Sequence, residues 1–331
     1  MANVEARRPG CALTPAAPRP ATAKALPSGA LPHTLNPMHI PTPTPWRELT
    51  QAQLDWAYDQ VHHAPNASEV LPACAAFSQA VQARLQARGL HQRHAYGAHP
   101  DEALDWYRSP QASGVLVFFV HGGAWRRGRA QDYAMAAEWL TAAGCNVVVP
   151  DFSTVTDRDG QLGVLADQLQ RALAWVVQHA AAHGADAQRV VLVGHSSGAH
   201  LAATLATTPV ATRPEGLKVR GLLSCSGMYD LEAVSHSARS SYVQFTPELV
   251  EALSPQRHLD RIAHPVRLLI GQNESPEFIR QGIDFNAALQ AQGMDSTWHM
   301  GAGLNHFEML YAMGPEDGFF AQHLRALLAL A

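Results

Sequence analysis

Two rhythms of apolar residues alternate along most of the chain, and each predicts a different element. Residues 48–60 and 68–89 have helical spacing. In the second stretch Val70, Leu71, Ala75, Phe77, Val81 and Leu85 recur at the three-to-four-residue interval of a helix face, and Gly89 supplies the stop. From there strands and helices follow each other in turn. Residues 115–120 read Val-Leu-Val-Phe-Phe-Val, an unbroken apolar run as expected of a strand buried on both faces. Residues 131–143 are expected to be helical, 146–149 a strand, and 161–182 a helix with Leu162, Leu165, Leu169, Leu173 and Val176 on one face. A strand at 190–193, a helix at 197–207, and strands at 221–225 and 266–270 come next, then helices at 278–292 and 316–330. Residues 296–300 alternate in the manner of a further strand. This alternation predicts an α/β fold, a mostly parallel central sheet with helices on both faces. No internal repeat is visible.

Composition changes the picture at the N-terminus. Residues 1–45 hold ten of the 22 prolines and a single acidic residue, Glu5. Such a Pro/Ala-rich stretch cannot bury a core, so 1–45 is expected to be a disordered tail and 46–331 the folded domain. Met38 would be the more natural start. The whole chain of 331 residues is 47% hydrophobic and 16% charged, enough for one large α/β domain. Its formal net charge is −4, with no charge run, which gives no reason to expect nucleic acid as a partner. Only Lys24 and Lys218 among the 24 basic residues are lysines, a bias without functional content. No stretch of about 18 apolar residues predicts a membrane span, and the N-terminus lacks the apolar core of a secretory signal; Arg7-Arg8 is followed by Pro, Gly and Cys instead of an apolar run. Cys11, Cys74, Cys145 and Cys225 are widely spaced, which suits reduced thiols and a cytoplasmic location. His62-His63 and the pair His91 and His94 lack a carboxylate or cysteine set beside them, so no metal site and no cofactor is expected. No phosphate-binding glycine loop follows a strand. A small-molecule substrate is the expected partner, and a homodimer is left open.

Chemistry enters with Gly194-His195-Ser196-Ser197-Gly198, a G-x-S-x-G set between a buried strand and a helix. In the α/β-hydrolase fold this is the nucleophile elbow, where small residues allow a turn tight enough to expose a serine at the carboxyl edge of the sheet. Ser196 is the candidate nucleophile, and the Ser197 amide at the helix start is a candidate oxyanion donor. His121-Gly122-Gly123-Ala124-Trp125 follows the strand ending at Val120. In that fold the loop after the third strand carries an HGG motif, so the amides of Gly122 and Gly123 are the expected partners of Ser197 in the oxyanion hole. His121 is expected to shape the loop.

A serine nucleophile needs a base, then an acid to orient it, in the chain order Ser, acid, His. His306, in a loop before the last helix, is the candidate base; His299 lies in the preceding strand and His323 inside the final helix. The acid should follow the strand 266–270. Glu274 fits that position, Glu277 is better read as a first-turn helix residue, and Asp284 and Asp260 are the remaining alternatives. A small helical cap is expected over the pocket. It would comprise residues 229–255 and the N-terminal helices, with Trp125, Tyr229, Tyr242 and Phe245 as candidate substrate contacts.

These stretches together resemble the kynurenine formamidase (arylformamidase) family, an esterase- and lipase-like group of α/β-hydrolases. The resemblance rests on residues 121–125, on Gly194-His-Ser-Ser-Gly-Ala-His-Leu201, Ser226-Gly-Met-Tyr-Asp-Leu231, Glu274-Ser-Pro-Glu-Phe278 and Asn305-His-Phe-Glu308. It runs from about Trp46 to the C-terminus. It implies Glu274 as the acid and a cofactor-free hydrolysis of N-formylkynurenine to kynurenine and formate through a formyl-serine. The family usually has Asp at the position of Glu274, and Tyr at those of Ala124 and Phe152. The alternatives are a carboxylesterase acting on small aryl or short-acyl esters, with the same triad, and a non-catalytic ligand-binding protein that has kept the fold.

Overall fold

In the computed structural model, residues 45–331 are described except Ala112 and Leu330. The expected disordered tail lies outside these residues, Pro45 apart. Among the described residues, eight strands form one sheet: β1 (His91–Ala95), β2 (Ala103–Tyr107), β3 (Gly114–Val120), β4 (Asn146–Pro150), β5 (Ala185–His195), β6 (Val219–Cys225), β7 (Val266–Gly271) and β8 (Ser296–Gly301). Their order is β1-β2-β4-β3-β5-β6-β7-β8. The β1–β2 and β2–β4 pairs are antiparallel, and all pairs from β4 to β8 are parallel.

Ten α-helices among the described residues accompany the sheet: α1 (Gln51–Tyr58), α2 (Ala67–Ala87), α3 (Ala137–Ala142), α4 (Leu162–His179), α5 (Ser197–Ala206), α6 (Leu231–Ser235), α7 (Pro247–Leu253), α8 (Pro276–Ala291), α9 (His306–Tyr311) and α10 (Phe319–Leu328). No helix among the described residues is long and apolar enough to cross a membrane.

The unbroken apolar run of β3 has the expected cause. Leu116, Phe118 and Val120 point into one core with α4, α5 and α8, while Val115, Val117 and Phe119 point into another with α2, α3 and α10. Each large apolar side chain so buried contributes about 1.5–3 kcal/mol. α4 follows its predicted stripe, with Leu162, Leu165, Leu169, Leu173 and Val176 all buried.

Several elements depart from the sequence reading. The stretch expected as one helix over 131–143 is a 3-10 turn (Ala130–Tyr133) and the short α3, separated by the buried Ala134, Met135 and Ala136. β1 and β2 were not anticipated: β1 reads His-Gln-Arg-His-Ala, the polar pattern of an exposed edge strand. β5 begins at Ala185, ahead of its apolar half, because the chain there pairs with Gly114 of β3.

The chain runs from β3 to β4 on one side, then crosses to β5 on the other side of β3. A parallel sheet opens a crevice at such a reversal, beyond the carboxyl ends of its strands. Here that crevice lies above Val120 and Gly194, which are paired in register.

Candidate active site

Ser196 sits at the turn from β5 into α5. Its backbone is left-handed, φ 58° and ψ −127°, a conformation costing a non-glycine residue roughly 1–3 kcal/mol. The turn is fixed by two hydrogen bonds, from the Ser196 amide to the Cys225 carbonyl and from the Ala199 amide to the Ser196 carbonyl, both at 2.9 Å. The flanking glycines are required by packing: a methyl group on Gly198 would lie 2.2 Å from the Val120 carbonyl oxygen, and one on Gly194 would lie 2.4 Å from that of Gly198.

The other two candidates emerge from neighbouring strands. β7 and β8 end together, Gly271 opposite Gly301. Glu274 follows the first and His306 the second. His306 is the first residue of α9, and local sequence sets it there. Asn305 caps the helix, accepting from the Phe307 and Glu308 amides at 3.0 and 3.1 Å, while Glu308 accepts from the Asn305 amide at 2.9 Å. Asn66, just before α2, ties this box down by bonding both Asn305 and Glu308.

His306 Nε2 is 2.8 Å from Ser196 Oγ, and its Nδ1 is 2.9 Å from Glu274 Oε2. Both His306 and Glu274 are buried. The Glu274 carboxylate has every lone pair engaged: Oε1 accepts from Ser226 Oγ at 2.5 Å and the Gly271 amide at 2.6 Å, and Oε2 also accepts from Gln60 Nε2 at 3.3 Å. A buried carboxylate held this way is fixed in orientation. The alternative acids are elsewhere. Glu277 lies in the first turn of α8, paired to Arg280 and accepting from Tyr58 Oη at 3.0 Å. Asp284 pairs with Arg280 at 2.6 Å, and Asp260 lies in a surface 3-10 turn. The rival bases are likewise apart, His299 on β8 and His323 on α10 stacked on each other at 3.8 Å.

The loop after β3 closes over the serine. A methyl on Gly122 would meet the His195 carbonyl oxygen at 2.9 Å and Ser196 Cβ at 3.1 Å, so this backbone passes directly against the candidate nucleophile. Gly123, at φ 121°, takes a conformation open to glycine alone. Ala124 and Trp125 are left-handed as well, at φ 56° and 60°. The loop is held to the elbow by the Trp125 amide, which donates to Ser197 Oγ at 3.2 Å. His121 stacks on Phe152 with ring centroids 4.3 Å apart and donates from Nδ1 to the Gly122 carbonyl. Burial depresses its pKa. His195, behind the site, donates from Nε2 to the His306 carbonyl at 3.0 Å, and burial pulls its pKa down to about 3.

A cavity of about 830 Å³ opens above Ser196 and His306. Gly123 and Ala124 line it with α1, the first turns of α2, and residues 237–242. Of the four expected substrate contacts only Tyr242 is on the wall. Trp125 is buried behind it, edge-on to His200. Tyr229 is buried, its hydroxyl 2.8 Å from Ser224 Oγ and its ring stacked on Phe285 at 4.2 Å. Phe245 packs against the core outside the cavity. Arg126, Arg127, Arg239, Trp56 and Tyr133, which the sequence did not single out, are on the wall. Gln60, Asn66 and Ser226 support the triad geometry and were also missed. Ser226 alone carried a signal, within the Ser-Gly-Met-Tyr-Asp stretch.

No group of His, Cys, Asp and Glu able to hold a metal ion occurs among the described residues. The cavity holds instead a hydroxyl, an imidazole and a carboxylate in one hydrogen-bonded line, facing a backbone turn.

Comparison with known proteins agrees with this architecture. The BD-FAE family model matches residues 104–289. Kynurenine formamidase from Danio rerio is 25% identical over 282 residues, covering 82% of this chain and 94% of its own. Esterase LipC from Mycobacterium tuberculosis is 28% identical over 251 residues, covering 67% of this chain and 61% of its own. A crystal structure from Silicibacter sp. TM1040, provisionally described as a thioesterase, superposes with a TM-score of 0.71 at 22% identity, covering 84% of this chain and 98% of that one. The chain therefore belongs to the BD-FAE family, has the α/β-hydrolase fold, and is a hydrolase of esterase or formamidase type.

Proposed function

We propose that this hydrolase is a serine enzyme that cleaves an aryl formamide, N-formylkynurenine, to kynurenine and formate. The observation that carries the reading is the line Glu274–His306–Ser196, with spacings of 2.9 and 2.8 Å, at the base of the cavity. Glu274 fixes the His306 tautomer with the proton on Nδ1, which leaves Nε2 free to accept the Ser196 proton. Ser196 Oγ then attacks the formyl carbon. The negative charge that develops on the formyl oxygen is met by the amides of Gly122, Gly123 and Ser197. His306 gives its proton to the departing aryl amine, and the formyl-serine is released by a water that His306 deprotonates in turn. No step needs a metal or a cofactor. The substrate is suggested by the Danio rerio relative, whose alignment spans nearly all of its length.

A second reading, a carboxylesterase for small aryl or short-acyl esters, is favoured by the similarity to esterase LipC and by Ala124 on the cavity wall. The two share the triad and differ in the pocket. The deciding experiment is kcat/KM for N-formylkynurenine beside p-nitrophenyl acetate, with Ser196→Ala as the blank. A formamide value above about 10⁴ M⁻¹s⁻¹ supports the first reading. A good ester rate with negligible formamide rate selects the second. Full activity in Ser196→Ala would remove both.

A further inference from the structure

Three arginines, Arg126, Arg127 and Arg239, line the cavity over Ser196. The three aspartates on the same wall are engaged elsewhere. Asp55 accepts from the Ala238 amide at 2.6 Å and from Gln51 at 2.9 Å. Asp59 accepts from the Val61 amide at 3.1 Å, and Asp132 from Gln79 at 3.0 Å. Among the described residues, none of the three arginines is paired to a carboxylate, whereas Arg93, Arg257 and Arg280 elsewhere each hold two or more.

Arg239 is the most constrained of the three. Its Nη1 donates to Tyr242 Oη at 3.0 Å and its Nη2 to the Tyr58 carbonyl at 3.3 Å, but its Nε is buried without a partner. The guanidinium carbon lies 5.7 Å from the ring centroids of both Trp125 and Phe278. Phe278 in turn packs edge-on against His306 at 5.1 Å, so the cation and the candidate base share one ring as neighbour. Arg126 stacks over Tyr242 at 4.0 Å, and Tyr242 thereby joins the two cations. A planar guanidinium held between rings, with a buried donor unused, is oriented for a planar anion and pays for its desolvation until one arrives.

We propose that Arg239, with Arg126 beside it, receives a carboxylate on the substrate, so that the enzyme selects anionic acyl compounds. This rests on the acyl-transfer reading of the site. A formyl or acetyl group has no room for a second function, so the carboxylate belongs to the aryl leaving group. The substrate class is then a carboxylate-bearing aryl formamide or ester.

Two matched pairs test this. The formamide pair is N-formylkynurenine and its α-carboxamide; the ester pair is 3-(4-acetoxyphenyl)propanoate and its carboxamide. Within each pair only the carboxylate differs, and the quantity read is the ratio of kcat/KM values. A charge-assisted contact of this kind predicts that the wild type prefers the carboxylate by about 10- to 100-fold, mostly through KM. Arg239→Met should bring the ratio to within about threefold of unity, and Arg239→Lys should retain part of the preference. A wild-type ratio near one in every pair that is turned over overturns the proposal, and this holds even if Arg239→Met does not fold. So does an Arg239→Met variant that lowers both members by the same factor. If only the ester pair is turned over and shows the preference, the formamide reading fails and the carboxylate site stands. If the formamide pair is turned over with a ratio of one, the reverse is true.

Discussion

Two glutamates three positions apart are both buried and differ in what they bond. Glu274 is anchored by Ser226, Gly271 and Gln60 and meets His306; Glu277 is anchored by Arg280 and Tyr58 and bonds neither His306 nor Ser196. The two therefore fail differently when removed. Glu274→Ala should lower kcat by about 10²- to 10⁴-fold on any substrate the enzyme accepts, with a smaller effect on KM. Glu277→Ala should instead destabilise the fold by about 2–4 kcal/mol, the consequence of leaving a mostly buried arginine short of its partner. The kcat of its folded fraction should stay within about tenfold of wild type. Thermal denaturation alongside kcat for the two variants checks both halves, and the opposite pattern would reassign the acid. The serine and histidine were legible because each carries a local signature, G-x-S-x-G and the capping box around His306. The substrate contacts were not. Trp125, Tyr229 and Phe245 are large aromatics near the motifs, but aromatic rings are also what the core is built from. Trp125 is buried away from the cavity wall, edge-on to His200, although it follows the HGG turn directly.

Among the elements, the central strands and the long helices were readable, since β3 through β7 are apolar runs and α4 has a clean stripe. The edge was not readable, since β1 is polar and is held by pairing to β2 instead of by burial. Nor was the docking of α1 onto α8, which creates one wall of the cavity. That contact is polar: Tyr58 Oη donates to Glu277 and accepts from Gln281 Nε2 at 2.6 Å. Burial and the neighbouring Glu277 carboxylate push the Tyr58 phenol pKa well up, so it remains a donor throughout the working range. Tyr58→Phe removes one partner from two buried groups and should cost about 1–3 kcal/mol. Because α1 carries Asp55 and Trp56 on the cavity wall, the same variant should raise KM more than it lowers kcat. Unchanged KM would show that α1 does not set the shape of the pocket.

For the molecule as a whole, buried histidines make stability depend on pH. Burial depresses His195 to about 3, and His200 and His264 each to about 4, from an ordinary value near 6.5. The folded protein thus resists protonation where the unfolded chain accepts it. Between about pH 6.5 and 4 the unfolded state binds more protons, so stability is full above that window and falls as the pH is lowered through it. Each such histidine adds about 1.4 kcal/mol per pH unit to the slope within the window. Denaturant unfolding at pH 7, 6 and 5 should show the decline, and His200→Gln should flatten it by about one proton. An equal slope in the variant would mean that His200 is not protonated on unfolding.

The amino-acid sequence by itself determined the α/β alternation, the elbow at Ser196, the HGG turn and the capped histidine, because each depends on neighbours within a few residues. Tertiary structure decided what lies across the sheet. Parallel pairing puts Gly194 beside Val120 and Gly271 beside Gly301, bringing the Ser196, Gly122, Glu274 and His306 loops to one edge. Packing of α1 and residues 237–242 over that edge then places Arg239 and Tyr242 on the cavity wall and turns Trp125 and Tyr229 into the core. Those placements depend on contacts between distant parts of the chain, and no local pattern of residues encodes them.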